Sequence, residues 1–147
     1  METGLLHLHS GLRYVILAML IISIIVAFGG TGGKKPFTEG NRKLFLFTMV
    51  FSHVQLLIGL VLYVITKKYQ LFTDGLMSVP QARFFGLEHL LMMIIALTLI
   101  TIGHSKSKKA TDAAAKFKKI AVFYTIALII IFVAIPWPFL KDFGSWF

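Results

Sequence analysis

Four apolar runs, at residues 12–28, 44–65, 84–102 and 120–139, alternate with short polar segments rich in lysine, glycine and proline. A hydrocarbon core about 30 Å thick is crossed by roughly 20 helical residues, and each run comes near that length. The pattern predicts an all-α fold: an integral membrane four-helix bundle, one domain over residues 1–147, with helices at about 9–28, 43–66, 82–104 and 112–139. No basic residue precedes the first run and no small-residue cleavage site follows it, so it reads as a retained helix and not as a signal peptide.

Punctuation between the runs agrees. Gly29 to Gly33 and Pro36 interrupt the helical pattern, which predicts a loop of about a dozen residues and a second helix starting near Arg42. The third helix is expected after Asp74, Gly75 and Pro80. Thr111 and Asp112 give an N-cap with an acidic first turn for the fourth, whose polar residues up to Lys119 would extend above the lipid. Pro136 and Pro138 end that helix around Trp137, an indole suited to a membrane interface.

Charge then orients the bundle. The first and third loops carry Lys34, Lys35, Arg42, Lys43, Lys106, Lys108, Lys109, Lys116, Lys118 and Lys119, whereas the opposite side has Lys67, Lys68, Arg83 and Lys141. Ten against four predicts both termini on the outer, periplasmic side and a multi-pass protein of the bacterial inner membrane. The net charge of +9 is therefore topogenic and calls for no nucleic acid; the Lys106–Lys119 stretch reads as a segment facing lipid headgroups. Cysteine is absent, which excludes disulfides, iron–sulfur clusters and covalent haem attachment. Six scattered acidic residues supply neither a paired-carboxylate site nor a nucleophile with its base, so no independent catalysis is expected.

Against this background the histidines carry the chemistry. His53 and His89 lie inside apolar runs and His9 at the mouth of the first, and ionisable residues at such positions are functional candidates. Each alone is explained as well by a bond to a carbonyl or serine across a helix interface, but three on three helices favour ligation of a haem iron. At about 1.5 Å per residue, His89 falls roughly 7 Å outward of the middle of its run and His53 roughly 3 Å inward of the middle of its own. His9 is the other possible partner for His89, or for a second haem. His7 and His104, at the two interfaces, are expected to face solvent. Gly86, His89, Met92, Met93 and Ala96 recur at helical spacing and predict a small, soft face open to a flat macrocycle. Ser52, Gln55 and Gly59 share a face beside His53, suited to a helix or a quinone. Arg13 is placed near the depth of Glu88, as an ion pair with it or as a clamp for haem propionates.

The segments 7–14 (HLHSGLRY), 53–63 (HVQLLIGLVLY), 88–93 (EHLLMM) and 136–138 resemble a small four-helix bacterial membrane family labelled cytochrome b, over nearly the whole chain. More distantly, the arrangement is similar to one half of haem A synthase, without the glutamate-plus-cysteine signature of that enzyme. The resemblance implies non-covalent haem b and electron transfer carried by His9, His53 and His89. The chain is then an electron carrier exchanging with a quinol pool and a partner in the bilayer, as an accessory of a respiratory complex or as a homo-oligomer. Two alternatives are a haem-free structural or assembly subunit, and a copper- or zinc-handling protein gathering His7, His9 and His89.

Overall fold

The computed structural model describes residues 2–72 and 78–146, so the predicted turn at Asp74 and Gly75 lies outside the described residues. The described chain is helical, with no strand among the described residues. Four helices are long and apolar enough to cross a membrane: α1 (Glu2–Gly30), α2 (Glu39–Ile65), α3 (Pro80–Lys109) and α4 (Ala113–Ala134). Most of their residues point outward, and large side chains such as Ile25, Leu57, Val64 and Ile129 are exposed around the bundle, as in a protein whose solvent is lipid. Neighbours in sequence pack side by side, α1 on α2, α2 on α3 and α3 on α4, and α4 closes the ring against α1.

Caps explain where the boundaries depart from the apolar runs. Thr38 and Asn41 form a reciprocal capping box, so α2 starts at Glu39, ahead of the expected Arg42, and the first connection is shorter than a dozen residues. Asp112 is itself the N-cap of α4, its carboxylate accepting from Ala115 N–H at 2.8 Å. At the other end α4 stops at Ala134, short of the predicted 139, because Ile135 precedes a proline and takes an extended conformation. α1 begins at Glu2, well before the predicted residue 9. This places His9 two turns inside the helix instead of at its mouth.

The bundle is packed unevenly along its length. At the end holding the 31–38 loop, Phe45 stands edge-on to Phe117 and Tyr124, and Phe37 covers Phe45 and Phe117. Gly30 permits this knot, because a Cβ there would lie 2.1 Å from the Phe117 ring. Close approach through small residues is how helices gain dispersion contacts when lipid offers no hydrophobic drive. Ser23 and Thr48 bond hydroxyl to hydroxyl at 2.9 Å between α1 and α2, and the Tyr124 hydroxyl donates to the Phe45 carbonyl at 2.8 Å. Removing that hydroxyl in Tyr124→Phe is expected to cost about 0.6 kcal/mol, the average for hydrogen bonds between membrane helices, and no more than about 1.7 kcal/mol, the largest such value. The helical content in a detergent titration would show it as a small fall in unfolding midpoint with the native spectrum unchanged.

Candidate cofactor site

Toward the opposite end the helices leave a cavity of about 370 Å³, lined by residues from all four helices and the C-terminal tail. That volume falls within the range of about 300–1,000 Å³ typical of ligand sites. His9 of α1 and His89 of α3 both line it, with ring centroids 6.4 Å apart and planes inclined by 72°. They meet because His9 is seven residues from the start of α1 and His89 nine from the start of α3, similar depths at one end of the bundle on helices that face each other diagonally across it.

The orientation of His89 has a traceable origin. In a continued helix the Ala134 carbonyl would accept from residue 138, and the Phe132 carbonyl from residue 136; both are prolines, which have no N–H. The Trp137 indole N–H takes the Phe132 carbonyl at 2.9 Å, and His89 Nδ1 takes the Ala134 carbonyl at 2.7 Å. A carbonyl only accepts, so in the neutral ring the proton sits on Nδ1 and Nε2 carries the lone pair. This is the outer-shell arrangement that fixes a ligating histidine. Immediately before His89, residues Phe84–Glu88 form a π-helical turn, a rare feature that gathers at functional sites. Its Gly86 carbonyl receives the Tyr63 hydroxyl at 2.8 Å.

His9 is held differently. Its ring lies against Gly59 of α2, where a Cβ would come within 3.0 Å of Cε1, and its backbone carbonyl receives the Gln55 amide at 2.7 Å. His9 Nδ1 and Gln55 Oε1 are both buried without a hydrogen-bond partner. Buried polar atoms left in this state call for a ligand, ion or water to complete them.

The geometry of the pair limits what two imidazoles can share. Bound to one metal through nitrogens at about 2.0–2.1 Å, imidazole centroids lie about 6 Å apart on opposite sides of it and about 5 Å apart at a tetrahedral angle. The observed 6.4 Å, with the rings edge-on to one another, is nearer the opposed separation than the tetrahedral one. No group of three or more His, Cys, Asp or Glu side chains able to hold an ion occurs among the described residues. The expected gathering of His7 with His9 and His89 does not form, because His7 is exposed.

The other sequence candidates are placed as follows. His53 lies outside this cavity, on the side of α2 facing α3, with Nδ1 bonded to the Met49 carbonyl at 2.8 Å. α2 instead turns Ser52, Gln55, Leu56 and Gly59 into the cavity, the face beside His53. On α3 the lining is Phe85, His89, Leu90, Met93 and Leu97; Gly86, Met92 and Ala96 are not in it, because the helix turns the other flank of His89 to the cavity and packs Ala96 into the core. The expected pairing of Arg13 with Glu88 is replaced: Glu88 Oε1 accepts from Arg83 Nε at 2.6 Å. Arg13 lines the cavity while its Nη2 donates to the Tyr14 hydroxyl at 3.0 Å and to the carbonyls of Ser145 and Trp146. It fastens the C-terminal tail onto α1. Sequence reasoning missed that tail, which returns across the site: Phe143 packs on Phe84 and Phe85, and Gly144 leaves no room for a Cβ beside the Trp137 carbonyl. His104 lies near the far end of α3 with Nδ1 buried and without a partner.

No protein-family model matches the chain, and comparison with curated proteins and with solved structures finds no match either.

Proposed function

We propose that this chain is a membrane electron carrier that holds one haem b between His9 and His89. The observation that carries the proposal is the imidazole pair itself: two rings whose centroids stand 6.4 Å apart beside one cavity, one of them fixed by a carbonyl that Pro138 leaves without its N–H donor. The cytochrome b resemblance of segments 7–14 and 88–93 points the same way. When bound, haem supplies one-electron transfer without any bond to the partner molecule.

The chain's own residues have separate tasks. The Ala134 carbonyl keeps the His89 proton on Nδ1 and so keeps Nε2 available; Gly59 gives the His9 ring room to stand beside α2. Leu90, Met93, Leu97, Ile131 and Ile135 make an apolar wall that excludes water. Arg13 and Lys68, the two cations lining the cavity, suit the carboxylates of haem propionates. By the lysine and arginine count the termini, and with them this site, face the periplasmic side of a bacterial inner membrane. The natural partners are then components of a respiratory complex within the same bilayer.

Purified without added haem, the protein is expected to be coloured, with a pyridine haemochrome assay giving one haem b per chain. A colourless protein that folds normally would instead favour a haem-free assembly subunit. Stoichiometric copper or zinc in colourless protein would favour metal handling.

A further inference from the structure

A second, smaller pocket of about 240 Å³ lies between α2 and α3 around His53, walled by Leu56, Ile94 and Leu97 and carrying the hydroxyls of Thr98 and Thr101. We propose that it binds the head group of a lipid-soluble quinol. Because His53 Nδ1 faces the Met49 carbonyl at 2.8 Å, the neutral ring carries its proton there and presents a lone pair at Nε2. The nearest donor is the Thr101 hydroxyl at 3.3 Å, but its single proton is claimed by the Leu97 carbonyl at 2.8 Å. Nε2 is thus an acceptor with a long, contested bond, open to a better donor. The Thr98 hydroxyl, on the exposed side, donates to the Ile94 carbonyl at 2.8 Å and keeps lone pairs for an incoming hydroxyl.

The surroundings define the ligand's class. Ile94 and Ile102 border the pocket and are 44% and 38% exposed on the lipid-facing surface, so the ligand arrives from the bilayer and leaves an apolar tail there. The pocket is smaller than the roughly 300–1,000 Å³ of a site that encloses a whole ligand, which fits a single ring with hydroxyl edges. Leu56 and Leu97 line both this pocket and the His9–His89 cavity. Two side chains therefore separate the two sites, and a redox-active head group is the occupant whose chemistry uses that proximity. This choice of ligand rests on the haem proposal; the binding itself does not.

The test is photolabelling of the full chain in lipid nanodiscs with a short-tailed quinol that carries a diazirine in its tail and is kept reduced, mapped by peptide mass spectrometry. Label is expected around His53 and residues 98–102, displaced by excess unlabelled quinol. It should fall about fivefold or more in His53→Leu, the size expected for one lost hydrogen bond to a buried group. Thr98→Val changes only an exposed side chain, so a fall there too supports the site without any question of folding. His89→Ala should leave labelling intact even if it removes haem, so failure of either proposal is seen separately. Label spread evenly over the lipid-facing helices, label confined to the His9–His89 cavity, or equal displacement by a long-chain alcohol would each overturn the assignment.

Discussion

Replacing His89 by alanine is expected to abolish the reduced-minus-oxidised spectrum of a b-type haem while leaving a folded, helical, membrane-inserted protein. Loss of an outer-shell partner alone typically weakens metal binding about 10–100-fold, so loss of the ligand itself should exceed that and leave purified protein without pigment. His9→Ala should do the same, since its ring stands 6.4 Å from that of His89. His53→Ala should retain full pigment, because that ring faces a separate pocket. The decisive measurement is haem per chain by pyridine haemochrome in all three variants, with circular dichroism checking that each is folded. Retention of pigment in His89→Ala, or its loss in His53→Ala alone, would remove the proposed pair.

The contrast between His53 and His9 shows what was legible in the sequence. The number of helices was written in the length of the apolar runs, and the start of α4 in Asp112, since both depend on local composition. Which face of α2 turns inward was not, because Leu56 and Leu57, or Leu60 and Val61, are equally apolar neighbours and lipid accepts either. Thr48 and Ser52 are the residues that mark the inward face: both are buried, and the Thr48 hydroxyl meets that of Ser23 on α1, a partner that a lipid-facing position would not provide. A second miss came from helix length. Starting α1 at the apolar run put His9 at the end of the helix, whereas α1 begins at Glu2 and holds His9 two turns inside it, beside His89. The π-helical turn at Phe84–Glu88 and the return of the tail onto Arg13 left no sequence signal of comparable clarity. The proline pair did leave one: Pro136 and Pro138 remove the N–H donors of two carbonyls that must then find partners elsewhere, and a histidine is among the side chains able to serve.

A large loss of stability is expected when the aromatic knot at the other end is opened. Phe117 is 2% exposed and packs on Gly30, Phe37 and Phe45, whereas Phe28, two residues before Gly30 on α1, is 55% exposed on the lipid side. Cutting a buried Phe to Ala in a packed core costs about 3–5 kcal/mol. Helices that separate within a membrane remain in an apolar solvent, so the transfer part of that cost shrinks and Phe117→Ala should fall near the lower end, about 3 kcal/mol. Phe28→Ala, which empties no protein cavity, should stay within about 0.5 kcal/mol of the parent. Titration of native helicity with sodium dodecyl sulfate, on haem-free protein, would measure both. Equal midpoints for the two variants would show that the knot does not hold the bundle. The expected inequality follows from the division of labour along the helices: dense packing at one end keeps them together, so the other end can stand far enough apart to leave two imidazoles facing across a cavity.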